Sequence, residues 1–276
     1  MHVAVPFPCL VEGPESGELV VLLHGFPQRK EAWRGVMADL ASAGYRAAAF
    51  DQRGYRGERE PYPLASLRLD RLADDVLAVS TALEQERFHV VGHDWGGAVA
   101  WELAADSPDR LLTSNVVATP HPRALIRSMV GIQAARSLYM LGFQVPVVPE
   151  ALLRARGGAF FRASLRRSGL DPDAADEYAS ALLEGSGLTN ALGWYRANVP
   201  SGRSVGPARV PTLYMWPERD VALGRRAAER TAAHVDAPYR FVVLEGATHW
   251  APEQRPGDVA ALLLDHLRTT PTPPRS

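Results

Sequence analysis

Six short apolar runs punctuate the chain. They are Leu19–Leu23, Tyr45–Phe50, Phe88–Val91, Ser114–Ala118, Val210–Met215 and Arg240–Leu244. Short runs without polar alternation read as strands buried on both faces, the pattern of a parallel sheet. Helical spacing lies between them. Leu69, Leu72, Val76, Val79 and Leu83 recur every three or four residues and form one helix face. Ala98–Ala105 has no breaker until Ser107-Pro108, and Leu223–His234 and Asp258–Leu267 predict further helices. Strands alternating with helices imply right-handed crossovers and an α/β fold.

One stretch departs from this alternation. Residues 121–205 carry only helical patterns, over Arg123–Leu141, Glu150–Arg156, Gly158–Ser168, Pro172–Leu183 and Leu188–Ala197. The chain therefore divides into an α/β core, residues 1–120 and 206–276, and an inserted all-helical block, 121–205. The Pro/Thr-rich tail from Thr269 is expected to fray.

Composition narrows the chemistry. The 276 residues include 30 Lys plus Arg and 31 Asp plus Glu, for a net charge of −1. That balance argues against a dominant nucleic-acid surface. Lys30 is the only lysine and Cys9 the only cysteine. A single cysteine forms neither an internal disulfide nor a cysteine-based zinc site. No apolar run approaches the ~20 residues of a membrane span. Met1–Leu10 lacks a basic start and is interrupted by Pro6 and Pro8, unlike a signal peptide. A cytoplasmic location is the expectation, and the oligomeric state is open. The histidines are joined by no cysteine cluster, and no Gly-Lys-Ser/Thr follows Gly54 or Gly57, so no metal or other cofactor is expected.

The most informative segment is Val90-Val91-Gly92-His93-Asp94-Trp95-Gly96-Gly97-Ala98. It reads as a strand, a sharp turn with glycines two positions either side of Asp94, and a helix. This is a nucleophile-elbow pattern with aspartate at its centre. An aspartate there also reads as an ordinary helix N-cap. As a nucleophile it restricts the reaction. Attack by a carboxylate on an ester gives a mixed anhydride. Attack on an sp³ carbon gives a plain ester that water can cleave. An epoxide or a carbon bearing a halide is the fitting electrophile.

Such an ester needs a base. Gly246-Ala247-Thr248-His249-Trp250 places His249 after the last apolar run, and Glu218-Arg219-Asp220 places Asp220 after the run before it. Loops at the carboxyl ends of parallel strands carry the sites of α/β sheets. An aspartate beside a histidine fixes its tautomer and stabilises its cation. The order nucleophile, acid, histidine is that of α/β-hydrolases. His24-Gly25-Phe26-Pro27 closes the first run. Its Phe26 N–H and the N–H of Trp95 can together bind an oxyanion. His93 is expected to point away from the site, Asp51 to serve its own turn, and Arg162, Arg166 and Arg167 to form a solvated face. His121 is assigned no role.

On these residues, together with Asp51-Gln52-Arg53-Gly54-Tyr55, the chain resembles the epoxide-hydrolase branch of the α/β-hydrolase superfamily from about Gly17 to Leu267. The resemblance implies a mostly parallel eight-stranded sheet flanked by helices, with residues 121–205 as a cap. It also implies two cap tyrosines that donate to the epoxide oxygen. The segments 137–144 and 188–198 resemble those bearing them, which points to Tyr139 and Tyr195. A phenol with a pKa near 10 donates to a nascent alkoxide without being ionised itself. Pro27, Met140, Phe143, Trp194 and Trp250 are candidates for an apolar substrate pocket, and a small apolar epoxide is the expected substrate. The product would be a vicinal diol. A dehalogenase would share Asp94, His249 and Asp220. Its fluoroacetate-type branch carries arginines where Trp95 and Gly97 stand here. A ligand-binding or non-hydrolytic member of the superfamily is a further alternative.

Overall fold

The computed structural model describes residues 6–129, 138–199 and 204–270. Seven strands form one sheet: β1 (Cys9–Glu12), β2 (Leu19–Leu23), β3 (Arg46–Phe50), β4 (Phe88–His93), β5 (Leu111–Val117), β6 (Thr212–Arg219) and β7 (Tyr239–Thr248). Their order is β1-β3-β2-β4-β5-β6-β7, with β1 antiparallel to β3 and every other pair parallel. The expected eighth strand is corrected to seven among the described residues. Ahead of β1 stand Pro6 and Pro8, which have no N–H for a ladder, and residues 6–8 form no strand.

Every apolar run becomes a strand, and β4 to β7 each extend beyond their runs. β6 continues through Glu218 and Arg219, and β7 through Thr248, with Arg219 paired to Thr248. In these extensions Glu218, Arg219, Glu245 and Gly246 are exposed, while Ala247 is buried.

The strands divide their side chains between two cores. Leu19, Val21 and Leu23 of β2 face one core, while Val20 and Leu22 face the other. This is the period of two expected of a strand covered on both sides. Helix α1 (Arg34–Ser42) covers the second face with Val36, Met37 and Leu40. The apolar pattern gave no clear signal for this short helix. Helices α2 (Leu69–Ala82) and α3 (Trp95–Asp106) cover the first face. Trp95 through Ala105 are all buried, so α3 is a core helix, enclosed rather than amphipathic.

Residues 121–205 supply α4 (Pro122–Arg127), α5 (Leu138–Gly142), α6 (Val148–Arg167), α7 (Pro172–Leu183) and α8 (Gly187–Asn198), with no strand among the described residues. The single helix expected over Arg123–Leu141 is seen only as α4 and α5, since 130–137 lie outside the described residues. Helix α6 is broken at Ala155–Gly158, where Arg156, Gly157 and Gly158 have positive φ. That break separates the two segments read from the sequence. Then come α9 (Arg225–Arg230), α10 (Ala251–Gln254) and α11 (Pro256–Thr269), the last of which packs on α1. The stretch Leu223–His234 is α9 followed by a 3-10 turn at Thr231–His234.

The glycines at the end of β4 are fixed by close backbone approach. A Cβ on Gly92 would lie 2.1 Å from the Gly96 carbonyl oxygen, and one on Gly96 would lie 2.2 Å from the Leu23 carbonyl oxygen. Neither neighbour is a side chain that can turn away. Gly96→Ala is therefore expected to lower the unfolding free energy by about 3 kcal/mol, read by chemical denaturation. A loss below about 1 kcal/mol would show that the elbow has slack.

Candidate active site

The strained turn after β4 presents Asp94. Its φ of +50° is rare for a residue with a side chain, and it sits as the residue preceding α3. Its main-chain carbonyl accepts from the Thr119 hydroxyl at 2.6 Å, which ties the turn to the end of β5. The side chain does not cap α3 through the usual bond two or three residues on, so the plain N-cap reading does not describe it. Instead Oδ1 accepts from the Phe26 N–H at 2.8 Å, and the Trp95 N–H also donates to the carboxyl. Gly25 makes this possible, since a Cβ there would lie 2.3 Å from the Asp94 Cβ. The Phe26–Pro27 peptide bond in this turn is cis.

His249 stands at the end of β7. Its Nε2 lies 3.7 Å from Asp94 Oδ2, and its Nδ1 donates to Asp220 Oδ2 at 2.8 Å. The other oxygen of Asp220 accepts from the Ala222 and Leu223 N–H groups at 2.7 and 2.9 Å. Asp220 is only 2% exposed, and three donors satisfy its oxygens. Burial pulls the His249 ring down. The charges of Asp220 and Asp94 outweigh burial, and the ring is raised from 6.5 to about 9. Burial pushes the Asp94 carboxyl up, against the charge of His249 and the amides of Phe26 and Trp95. At neutral pH the ring therefore carries its proton, and its charge, with the two amides, favours the carboxylate form of Asp94 against burial.

Tyr195 on α8 and Tyr139 on α5 face this pair, with their rings 6.0 Å apart. Tyr195 is 2% exposed. Tyr139 keeps 38% of its surface but turns its hydroxyl inward to Tyr195. The Trp95 ring meets Tyr195 edge-on at 4.9 Å. Burial, followed by nearby charge, raises both phenols, so both remain protonated donors.

Asp94, Tyr139 and Tyr195 line two cavities at once. One, of about 580 Å³, runs beneath α5 and α6 and is walled by Phe26, Pro27, Phe143, Phe161, His249 and Trp250. The other, of about 150 Å³, lies towards α4 and includes Met140, Leu125 and Leu223. Pro27, Met140, Phe143 and Trp250 thus stand where a substrate pocket was expected. Trp194 does not, which corrects that reading. It is wholly buried, its Nε1 donates to the Arg53 carbonyl at 3.1 Å, and it lines neither cavity. Neighbouring positions on a helix are about 100° apart, so Tyr195 and Trp194 face different ways.

The remaining candidates fall outside the site. Asp51 accepts from Arg29 at 2.6 Å and from Lys30 Nζ at 2.7 Å, a structural ion pair at the turn. His121 accepts from the Arg123 N–H and donates to the Gly206 carbonyl at 2.9 Å, joining the two ends of the helical block. Arg162 and Arg166 pair with Asp176. Among the described residues no group of three His, Cys, Asp or Glu is placed to hold a metal. No helix among them is long and apolar enough to cross a membrane. Two residues behind the base carried no functional signal in the sequence. His93 contacts the His249 carbonyl through Nε2 at 2.8 Å, and Gln28 contacts His93 Nδ1 at 2.6 Å. His93 does point away from Asp94, as expected, but it points at the loop that carries the base.

Known proteins share this arrangement of chain. The family model described as alpha/beta hydrolase fold matches residues 18–256. The AB hydrolase superfamily protein YfhM of Bacillus subtilis is 34% identical, over 93% of this chain and 92% of its own length. Epoxide hydrolase A of Mycobacterium tuberculosis is 32% identical, over 94% of this chain and 93% of its own. The crystal structure of epoxide hydrolase A from Mycobacterium thermoresistibile superposes with a TM-score of 0.81 at 29% identity, covering 96% of this chain and 95% of that one. The chain belongs to the alpha/beta hydrolase fold family, in its epoxide-hydrolase-like branch.

Proposed function

We propose that this enzyme opens an epoxide to a vicinal diol through an ester on Asp94. One observation carries the reading. A buried carboxylate has its Oδ1 held by the Phe26 amide, while its Oδ2 faces His249 and its carboxyl adjoins cavities shared with two protonated phenols. Residues 121–205 act as the cap that supplies those phenols. The relatives named epoxide hydrolases support the same substrate class.

In the first step Oδ2 of Asp94 attacks an epoxide carbon and the C–O bond of the ring breaks. Tyr195 and Tyr139 give the departing oxygen its proton. Once Asp94 is an ester its charge is gone, so one of the two carboxylates that hold the His249 proton is lost. The ring then releases that proton, which restores the phenol, and becomes a neutral base oriented by Asp220. In the second step His249 takes a proton from water, and the hydroxide adds to Asp94 Cγ. The resulting oxyanion lies between the N–H groups of Phe26 and Trp95. Collapse breaks the Cγ–Oδ2 bond, the proton of the added hydroxyl passes to the leaving oxygen, and the diol is released. It leaves the carboxylate and imidazolium of the resting site.

A dehalogenase would need N–H donors free for a departing halide. Here two protonated phenols adjoin Asp94, which favours the epoxide, since a departing halide needs no proton. Trapping separates the alternatives. His249→Ala protein mixed with styrene oxide should gain the mass of one epoxide, on the peptide containing Asp94, and Asp94→Asn should gain none. Absence of any adduct, with the wild type inert on a panel of epoxides, overturns the reading. Halide release from haloalkanes without diol formation would favour the dehalogenase.

Tyr195→Phe is expected to lower the rate of ester formation by about 100-fold, and the double change with Tyr139→Phe by more, in single-turnover measurements. In the resting protein the His249 ring should titrate near pH 9, read by NMR. Asp220→Asn removes a negative charge that favours the cation, so the titration should move down by more than one unit.

A further inference from the structure

A chain of polar groups runs from the surface side of α10 to the back of the base. The Tyr178 hydroxyl on α7 lies beside the Glu253 carboxyl. Glu253 contacts Gln28 Nε2, Gln28 Oε1 contacts His93 Nδ1 at 2.6 Å, and His93 Nε2 contacts the His249 carbonyl at 2.8 Å. Gln28 and His93 are fully buried. Counting protons along this chain shows that it holds one more than ordinary ionisation supplies. His93 lies between two oxygens, yet a neutral imidazole has a single N–H. Either the ring carries a second proton, or the Gln28 amide makes a half-turn and offers Nε2–H to Nδ1. The half-turn places Gln28 Oε1 against a Glu253 oxygen, and two acceptors tolerate that contact only with a proton between them.

The second arrangement fits the surroundings. His93 is enclosed by protein and lies 4.8 Å from the His249 ring, whose positive charge opposes another. Glu253 faces Asp171, Glu177 and Tyr178 from the α7 side, with Glu31 near Tyr178 and Arg29 near Glu177 in the turn after β2. On its own helix the neighbouring side chain is Gln254, whose Oε1 accepts from Thr248. Negative neighbours outnumber positive ones, which favours a protonated carboxyl.

We propose that Glu253, Gln28 and His93 are positioning residues that form a proton-holding brace behind His249. A proton on Glu253 sets the Gln28 amide, the amide sets the His93 tautomer, and His93 Nε2–H holds the His249 carbonyl. Loss of that proton turns the amide back, moves the histidine proton to Nδ1, and leaves a bare Nε2 facing the carbonyl. The base is then displaced. Burial and the acidic neighbours raise Glu253 to about 7, so the release falls near neutral pH. This role rests on the reading of His249 as the base. The state of the brace itself does not.

The test uses full-length protein with ¹⁵N-labelled histidine, His93 being assigned by its loss in His93→Gln. At pH 6 the His93 ring should be neutral, protonated on Nε2 and bare on Nδ1. Above about pH 7 the proton should move to Nδ1 in the wild type. In Glu253→Gln, which presents a neutral N–H donor at every pH, it should stay on Nε2 from pH 6 to 8. A doubly protonated or Nδ1-protonated ring at pH 6, or a variant that follows the wild type, overturns the proposal. These shifts are read without substrate, so their failure is distinct from failure of the epoxide reading. In turnover, kcat of the wild type should fall about tenfold from pH 6 to 8 with KM unchanged, and Glu253→Gln should lack that fall. An identical fall in both proteins would assign the loss to another group.

Discussion

The seating of Asp94 against the turn that ends β2 is the contact on which the rest depends. The carboxyl rests where Gly25 has no side chain, and it accepts from the Phe26 amide. That seat exists because β2 and β4 are adjacent parallel strands, with Leu23 paired to Gly92. Their two turns emerge side by side. Gly96 lets the start of α3 touch the Leu23 carbonyl, and the Thr119 hydroxyl pins the Asp94 main chain from β5. Strain at one residue is thus over-determined by three strand ends.

Charge balance builds on that seat. Asp220 and Asp94 flank His249, and all three are largely buried. Each charge is tolerable because the next one compensates it, and the amides around the carboxylates supply the remaining donors. The site is therefore sensitive to the loss of a single charge. In the proposed reaction that sensitivity is used directly, since esterification of Asp94 converts the neighbouring cation to a base. The brace of Glu253, Gln28 and His93 adds a second proton-dependent constraint, acting on the main chain of the same histidine.

Much of the fold was legible because its physics is local. An apolar run such as Leu19–Leu23 must be covered on both faces, whatever covers it. The gap at Gly157 between two helical segments is a break in α6. The antiparallel edge was less legible. Cys9–Glu12 is short and half-buried, and its pairing with β3 is a property of the sheet rather than of those four residues. The count of eight strands came from resemblance, and the prolines ahead of β1 leave seven among the described residues. Trp194 shows the limit for side chains. Its neighbour Tyr195 faces the cavities, and only the rotation of α8 on the core decides which of the two does so.

By itself the sequence determined the alternation of strands and helices, the helical block within it, and the residue types of a carboxylate-based site in α/β-hydrolase order. These follow from hydrophobic periodicity, glycine spacing and the intrinsic chemistry of Asp and His. Tertiary structure alone decided that Asp94 and His249, 155 positions apart in the chain, stand 3.7 Å from each other. It also decided that Gln28 and Glu253 meet behind them. Distances, burial and protonation depend on groups that chain order does not bring together. Parallel strands do so here, because their crossovers return every functional turn to the same edge of the sheet.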